Sequence, residues 1–347
     1  MTTHEFYMKR CIELAKNGLG TTYPNPLVGS VIVHDDKIIG EGWHKKAGEP
    51  HAEVNAVNSV KDKSLLKEAT IYVSLEPCSH FGKTPPCCDL IIANEIPNVV
   101  VGTVDPFAKV AGNGIKKLVE SGKNVTVGIL EDECNELNKR FFTFHQKQRP
   151  FIILKWAETT EGFIAPLSKE EKAPVWITNP YSRQLVHKWR TEEQAILVGT
   201  NTVLDDNPKL DVRDFSGNNP VRIVLDKSGK ISENYHVKNN LQKTIFITES
   251  ENFISTENCI YENAIFDIHL ISSICDILYK NNIQSVIIEG GSKTLQSFID
   301  ANLWDEARVF KGDTTFQNGI LAPNISGNPV AGFDIMNDEL KIFKNYD

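Results

Sequence analysis

The sequence lacks three features that would each indicate a particular class of protein. No apolar stretch approaches the roughly 20 residues that a membrane-spanning helix needs. The first residues are polar and include Glu5, which is not typical of a signal peptide. Basic residues number 37 against 45 acidic ones, so the net charge is −8, whereas nucleic-acid binders usually carry a basic excess. We therefore expect a cytoplasmic protein that binds neither membranes nor nucleic acid.

Disulfides and a standard dinucleotide-binding turn are also not indicated. The seven cysteines are an odd number in a chain of 347 residues without an export signal, so free thiols or metal ligands explain them better. No Gly-x-Gly-x-x-Gly fingerprint follows a predicted strand, which argues against a standard Rossmann site. The composition, 41% hydrophobic and 24% charged, is ordinary for a folded chain, and the length suggests about two domains.

Strand-like and helix-like segments alternate along the chain, with one break near the middle. β-Branched runs predict strands over residues 28–33, 70–75, 99–104, 151–156, 195–198, 221–225, 244–248 and 285–288. Apolar residues at helical spacing predict helices over residues 6–19, 51–60, 115–121, 132–145, 180–192 and 292–299. The polar stretch 146–150 lies between the helix predicted over 132–145 and the strand predicted over 151–156, and it is the best candidate for a linker between domains. This pattern predicts two α/β domains, residues 1–147 and 148–347.

One histidine and two cysteines in the first half could share a metal ion. His51, Cys78 and Cys87 would fill three corners of the tetrahedron around Zn²⁺ and leave the fourth for water. Glu53, two residues after His51, could exchange protons with that water without binding the metal. A purely structural zinc site is the alternative, but such sites normally close with four ligands and do not need Glu53.

Zinc-dependent base deaminases have a signature in two parts, H-x-E and P-C-x-x-C. The sequence matches the first part and departs from the second. His51-Ala52-Glu53 fits H-x-E, whereas eight residues instead of two separate Cys78 from Cys87. The longer loop brings His80 and Lys83 beside the predicted metal, and cationic side chains there would suit a phosphate. A nucleic-acid editing deaminase would instead have the short spacing and a basic face. A zinc-stabilised binding module would have no use for Glu53.

Longer motifs resemble the bifunctional deaminase-reductases of bacterial riboflavin biosynthesis, over nearly the whole chain. In the first half they are Tyr23-Pro24-Asn25-Pro26-Leu27-Val28-Gly29, Gly42-Trp43-His44, Gly48-Glu49-Pro50-His51-Ala52-Glu53 and the stretch from Glu76 to Cys87. In the second half they are Lys155-Trp156-Ala157, Trp176-Ile177-Thr178, Arg190, the run from Gly199 to Pro208, and Leu210 with Arg213.

The resemblance implies a fold and a pair of reactions. The first domain would be a cytidine-deaminase-like three-layer α/β/α fold, with one Zn²⁺ on His51, Cys78 and Cys87 and with Glu53 as the proton shuttle. It would deaminate a diaminopyrimidinone that carries a ribosylamino 5′-phosphate. The second, a dihydrofolate-reductase-like α/β domain, would reduce the ribosyl to a ribityl chain with NADPH. The family also implies a homodimer formed through the second domain.

The resemblance further implies which residues contact the ligands. Asn25 would recognise the base, since its amide offers a donor and an acceptor; the alternative is a turn residue between two prolines. The other substrate contacts would be His44, His80 and Lys83 in the first domain and Arg190, Leu210, Arg213 and Glu289 in the second. NADPH would meet Glu158, Trp176, Thr202, Asp206, Lys227, Gly291, Ser292, Lys293, Thr294, Leu295, Gln296 and Ser297. Core packing for Trp176 and Leu210, and a turn cap for Asp206, are the alternatives.

Three positions depart from the family pattern in the reductase half. Thr159 and Glu161 stand where the family often has Ser and Asp, and Pro174 stands where a small hydroxyl residue is common. Proline has no side-chain donor, so one substrate contact would be lost or supplied differently. A deaminase with an impaired reductase half is therefore an alternative function.

Overall fold

The computed structural model describes residues 1–81, 85–106, 112–168 and 173–346. The chain divides into two compact units, residues 1–148 and residues 149–347. Among the described residues, no helix is both long enough and apolar enough to cross a membrane. All seven cysteines lie in the described parts of the chain, and none forms a disulfide.

The first unit is built on a five-stranded mixed sheet. Its strands are β1 (Gly29–His34), β2 (Lys37–Trp43), β3 (Thr70–Leu75), β4 (Asn98–Thr103) and β5 (Asn124–Val127), in the order β2-β1-β3-β4-β5. Strand β1 pairs antiparallel with β2 and β3, whereas β3, β4 and β5 are parallel. The helices are α1 (Thr3–Ala15), α2 (Ala52–Ser59), α3 (Cys87–Ala93), α4 (Asn113–Glu120), α5 (Glu131–Leu137) and α6 (Lys139–Lys147).

Helices cover both faces of this sheet, as the alternation of side chains along each strand requires. Ile32 of β1 belongs to the core that helices α2, α3 and α4 complete. Its neighbours Val31 and Val33 belong to a second core, completed by helices α1 and α5. The unit is therefore a three-layer α/β/α sandwich, which confirms the predicted fold class.

The second unit has a nine-stranded sheet and a separate two-stranded one. Its strands are β6 (Phe151–Glu158), β7 (Phe163–Pro166), β8 (Ala195–Gly199), β9 (Val221–Leu225), β10 (Thr244–Thr248), β11 (Cys259–Asn263), β12 (Ser285–Ile288), β13 (Glu306–Lys311), β14 (Gly319–Leu321), β15 (Ala331–Ile335) and β16 (Asp338–Lys344). The large sheet has the order β11-β10-β9-β8-β12-β6-β13-β16-β15, and β14 pairs with β7. In this order, all neighbouring strands from β11 through to β13 are parallel. The last two pairs, β13 with β16 and β16 with β15, are antiparallel.

In the described part of the second unit, four helices cover the two faces of the large sheet. They are α7 (Pro180–Glu192), α8 (Thr200–Asp206), α9 (Leu270–Lys280) and α10 (Ser292–Asp300). Leu197 of β8 packs in the core formed with α9 and α10, whereas Ile196 and Val198 pack on the opposite face with α8. The described residues also form three 3₁₀ helices, Lys16–Gly18, Lys63–Glu68 and His236–Lys238.

Two elements differ from the sequence expectation for identifiable reasons. The helix predicted over residues 132–145 is two helices, α5 and α6, which meet at Asn138. The buried Asn138 amide accepts a hydrogen bond from the Leu27 N–H at 2.8 Å and donates one to the Leu27 carbonyl at 2.9 Å, a long-range contact that local periodicity does not reveal. The structure also has β11, in a stretch to which the sequence pattern assigns no strand, and it pairs in parallel with β10.

Candidate functional site

The three predicted metal ligands meet in the first unit. His51 is the N-cap residue of α2, Cys78 follows β3, and Cys87 is the first residue of α3. His51 Nδ1 lies 3.3 Å from Cys87 Sγ and 3.6 Å from Cys78 Sγ, and the three ligand atoms all lie within 4.8 Å of one another. Sulfur and nitrogen ligands of tetrahedral zinc stand roughly 3.5–3.8 Å apart, as their bond lengths require. The donor set and its spacing therefore fit zinc.

Electrostatics at this cluster favour a thiolate at Cys78 and a proton on Cys87, whose pKa is raised by its hydrogen bond with Cys78 and by burial. Hydrogen bonds with Cys87 and His51 lower the pKa of the Cys78 thiol, and the thiolate is the form that binds metals. Glu53 lies in the first turn of α2 and is only 3% exposed. Burial, reinforced by Cys78, raises the pKa of Glu53 to about 7, a range suited to a group that accepts and donates protons at neutral pH.

Asn25 and His44 form a pair beside the metal cluster. The Asn25 amide nitrogen lies 3.0 Å from His44 Nε2, and His44 Nδ1 lies 3.2 Å from the Pro50 carbonyl. Because a carbonyl only accepts, Nδ1 carries the proton and Nε2 accepts from Asn25. His44 is 2% exposed, and its burial lowers its pKa, so the ring is neutral. The ring also packs edge-on against His51, with centroids 5.5 Å apart.

Of the other two predicted contacts in the first unit, one is described. His80 is exposed on the segment after Cys78. Lys83 lies outside the described residues.

A buried acid that is not among the predicted site residues braces this cluster. The Glu76 carboxylate, 4% exposed, accepts hydrogen bonds from four backbone N–H groups, those of Asp105, Gly112, Gly114 and Ile115. It thereby ties the start of α4 to the strand end that carries Pro77 and Cys78. Its position directly before the Pro-Cys pair was the signal that could have identified it.

The second unit contains a cavity of about 1210 Å³, lined partly by residues that follow β8 and β12. These are neighbouring parallel strands, and ligands of open α/β sheets bind beyond such carboxyl ends. The predicted site residues that line it are Trp176, Arg190, Thr202, Asp206, Leu210, Arg213, Glu289, Gly291, Ser292, Lys293, Thr294 and Ser297. The lining does not include Glu158, Lys227, Leu295 or Gln296.

The four predicted residues outside the lining have other contacts. Glu158 accepts from the Trp156 indole at 2.8 Å, and Lys227 pairs with Glu249 at 3.4 Å. Leu295 is in the core, and Gln296 accepts from the Asn324 N–H at 2.7 Å.

Glycines let two turns approach each other at the cavity. A Cβ on Gly199 would lie 2.8 Å from the Thr294 hydroxyl, and one on Gly290 would lie 3.2 Å from the Gly199 nitrogen. The close approach brings the turn after β8 against the N-terminus of α10. The N–H groups of a helix N-terminus attract phosphate, so this cradle fits the phosphates of a dinucleotide such as NADPH.

A buried ion-pair cluster lies in the cavity wall. Arg190 donates to both Glu289 carboxylate oxygens at 3.2 and 2.8 Å, and its third nitrogen donates to the Asp211 carbonyl at 3.0 Å. Lys155 Nζ lies 3.9 Å from Glu289. Burial alone would raise the pKa of Glu289, but Arg190 and Lys155 outweigh it and hold that pKa at about 2. Arg213 is more exposed and pairs with Asp211 Oδ1 at 3.0 Å.

The residues that depart from the family pattern also have defined surroundings. Pro174 and the half-exposed Trp176 line the cavity, and the Arg183 guanidinium stacks 4.6 Å from the Trp176 ring centre. Thr159 is buried, and its hydroxyl accepts a hydrogen bond from the Phe163 N–H at 3.2 Å. Threonine thus braces the turn between β6 and β7.

Comparison with known proteins gives consistent results for both units. Residues 1–103 match the family described as cytidine and deoxycytidylate deaminase zinc-binding region, and residues 150–314 match the RibD C-terminal domain. The riboflavin biosynthesis protein RibD of Aquifex aeolicus is 40% identical over 348 residues, covering 97% of this chain and 93% of that protein. RibD of Escherichia coli is 35% identical, with 94% and 90% covered.

A solved structure gives the same result in three dimensions. The crystal structure of a diaminohydroxyphosphoribosylaminopyrimidine deaminase/5-amino-6-(5-phosphoribosylamino)uracil reductase from Thermotoga maritima superposes with a TM-score of 0.90. The two chains are 40% identical, and the match covers 99% of each. The chain therefore belongs to the RibD family, the zinc- and NADPH-dependent bifunctional deaminase-reductases of riboflavin biosynthesis.

Proposed function

We propose that the first unit deaminates 2,5-diamino-6-ribosylamino-4(3H)-pyrimidinone 5′-phosphate and that the second reduces the ribosyl chain of the product to a ribityl chain. The observation that carries the proposal is the cluster of His51, Cys78 and Cys87 with the buried Glu53 beside it. A three-ligand site with an adjacent acid is the arrangement of a catalytic zinc, because a structural zinc normally has four protein ligands.

Glu53 is the proton carrier of the deamination. When bound, zinc supplies the Lewis acidity that makes water nucleophilic at neutral pH. Glu53 accepts a proton as the new carbon–oxygen bond forms and gives it to the amine as the carbon–nitrogen bond breaks, so ammonia leaves. A pKa of about 7 suits both halves of this transfer.

Asn25 recognises the base, and His44 fixes the direction of its amide. One Asn25 N–H is committed to His44 Nε2, so the amide oxygen and the second N–H remain for the edge of a pyrimidine. His44 therefore contributes as a buried neutral support for Asn25. The ribose phosphate is left to His80 and Lys83.

The cavity of the second unit, about 1210 Å³, would accommodate both NADPH and the uracil intermediate. When bound, NADPH supplies the reducing electrons. Gly291, Ser292, Lys293, Thr294 and Ser297 at the start of α10 would hold its phosphates, and Thr202, Asp206 and Trp176 line the same cavity. Glu158 acts indirectly, by holding Trp156 of the cavity wall, and Leu295 packs in the core. Lys227 and Gln296 pair with Glu249 and Asn324, which lie outside the lining, so we assign them no contact with NADPH.

The substrate of the reduction lies at the opposite part of the wall. It contacts Leu210 and Glu289, and Arg213 meets its phosphate. Arg190 acts through Glu289, because its three nitrogens already have partners.

We further propose that the chain acts as a homodimer in the cytoplasm. The dimer rests on resemblance to the family. The cytoplasm is supported by seven cysteines without a disulfide, since reducing compartments keep thiols free.

A coupled assay with the diaminopyrimidine phosphate tests the proposal by following ammonia release and NADPH oxidation together. We expect ammonia first and NADPH oxidation after it, in amounts that become equal. The Cys78→Ala, Cys87→Ala double variant should lose zinc and ammonia release, yet still reduce the uracil intermediate when that is supplied. Ammonia release from this variant at the normal rate would contradict the proposal.

A further inference from the structure

His187 is a buried side chain of the cavity wall that neither reaction above uses. It lies on α7, between Arg183 and Arg190, and all three line the cavity. Residues spaced by three and four positions lie on one face of a helix, so this face of α7 points at the ligand. His187 is only 3% exposed.

Both ring nitrogens of His187 contact the chain that follows Leu210. Nδ1 lies 3.4 Å from the Arg213 backbone nitrogen, and Nε2 lies 3.3 Å from Asp214 Oδ2. A backbone N–H only donates, so Nδ1 is unprotonated and the single ring proton is on Nε2, which donates to Asp214. The imidazole therefore holds two consecutive residues through one acceptor and one donor.

The surroundings keep this ring neutral, as the two bonds require. Burial, followed by the positive charges of Arg190 and Arg213, lowers the pKa of His187 to about 4. Asp214 and Glu289 act in the opposite direction but do not outweigh them. At neutral pH the acceptor at Nδ1 is thus always available.

The segment 210–214 is positioned through its backbone at several points. Gln242 donates to the Leu210 carbonyl at 3.2 Å, and Arg190 donates to the Asp211 carbonyl at 3.0 Å. These contacts hold the beginning of the segment. His187 holds its end, at the residue from which the Arg213 side chain extends. Leu210 has a left-handed backbone, with φ of 55°, which gives the segment a defined bend.

We propose that His187 is a positioning residue for the reduction, which fixes the Arg213 backbone so that its guanidinium faces the substrate phosphate. This inference rests on the proposed contact between Arg213 and substrate. It gives a specific task to an imidazole that touches neither reacting atoms nor cofactor.

Variants of the full chain test the role by kinetics and by hydrogen exchange. His187→Ala should raise the KM for the uracil intermediate about tenfold, the scale of losing one or two hydrogen bonds. The KM for NADPH, kcat and ammonia release should stay near their normal values. Exchange of the Arg213 amide should become about tenfold faster, because its acceptor is gone. His187→Asn, whose amide oxygen replaces Nδ1, should restore most of the protection and most of the affinity.

Two control variants separate the ways in which the inference can fail. Lys188→Ala alters an exposed neighbour on α7 that pairs with Glu192 at 3.7 Å, and it should match the wild type. Unchanged exchange or unchanged substrate KM in His187→Ala, with Arg213→Ala impaired, overturns the positioning role alone. A joint loss of kcat, NADPH affinity and substrate affinity in His187→Ala that Asn does not rescue shows a merely structural residue. Normal kinetics in Arg213→Ala overturn the substrate contact and this inference with it.

Discussion

Glu53 is a buried acid two residues from a metal ligand, and this placement determines what its replacement should do. Glu53→Gln keeps the shape of the side chain but removes the group that titrates. We expect ammonia release to fall by about 10² or more, the usual scale for loss of acid–base catalysis. Zinc should stay at about one equivalent per chain, because Glu53 is not a ligand. An ammonia assay and metal analysis measure the two quantities, with the exposed Glu49→Gln as the matched control. Near-normal ammonia release would contradict the proton-carrier role.

Glu289 gives a prediction for the pH dependence of stability. Its pKa is about 2 in the folded chain against an ordinary value of 4.5, because Arg190 and Lys155 outweigh the effect of burial. A carboxyl whose folded pKa is depressed stabilises the fold above its unfolded pKa, and this contribution is lost as the pH falls from 4.5 to 2. The difference corresponds to roughly 3 kcal/mol. Glu289→Gln should therefore destabilise the second unit strongly at pH 7 and progressively less below pH 4.5.

Urea unfolding followed by tryptophan fluorescence measures this difference. In a Trp43→Phe background the four remaining tryptophans all belong to the second unit. Glu339→Gln, which alters a partly exposed acid 3.0 Å from Lys341, is the control and should show little effect at any pH. The ion-pair explanation would be contradicted if the difference in unfolding free energy between Glu289→Gln and wild type stayed constant from pH 7 to pH 3.

Residue types could be predicted at the metal cluster, but pairing between distant residues could not. His51, Cys78 and Cys87 were identifiable because few other sets of side chains bind zinc in this way. The Arg190–Glu289 pair joins residues 99 positions apart, so nothing local reveals that the arginine is already neutralised. The neutral state of His44 likewise depends on its burial and on the Pro50 carbonyl.

For helices and strands, the sequence predicted those features that depend on interactions between neighbouring residues. Helix α7 begins at Pro180, as predicted, because Asn179 accepts hydrogen bonds from the Tyr181 and Ser182 N–H groups. The break between α5 and α6 was not predictable, since it depends on the contact of Asn138 with Leu27. Strand β11 has a weak pattern of its own, and it forms through its pairing with β10.

The start of α4 gives an element-scale prediction. Three backbone N–H groups at this helix start, those of Gly112, Gly114 and Ile115, donate to Glu76, and so does that of Asp105 after β4, so the carboxylate serves as their shared cap. In Glu76→Gln one oxygen becomes an NH₂ group that faces N–H donors. We expect a loss of about 1–3 kcal/mol in unfolding free energy, the cost of buried unsatisfied donors. Zinc should also leave faster, because the strand end that carries Cys78 loses its brace.

Chemical unfolding and zinc transfer to a chromogenic chelator test this role of Glu76. Glu120→Gln is the matched control, since it changes an exposed acid at the other end of α4 that lies 3.9 Å from Lys116. If both variants release zinc and unfold like the wild type, Glu76 is not the brace of the metal site.

For the whole molecule, the family, the fold class, the two activities and the two cofactors predicted from the sequence are confirmed. The alternative of an impaired reductase half is not favoured, since residues 150–314 match the reductase family. The large cavity and its glycine cradle are consistent with this. These predictions were possible because the long motifs extend over nearly the whole chain and therefore identify both domains together.

The two units should carry out their reactions independently of each other. Each unit has its own sheet, its own cores and its own set of site residues. Glu53→Gln should therefore leave reduction of the supplied uracil intermediate intact, whereas Arg213→Ala should impair reduction and spare ammonia release. An arginine facing a phosphate makes charge-assisted bonds worth roughly 1.5–3 kcal/mol, so its loss should weaken binding roughly 10- to 150-fold. Because the bond is present in ground and transition states alike, the change should appear in KM rather than in kcat. Steady-state assays of each reaction on both variants measure this, with Lys188→Ala as the control. If Arg213→Ala abolishes both activities together, the arginine is needed for folding, and the two units are not autonomous.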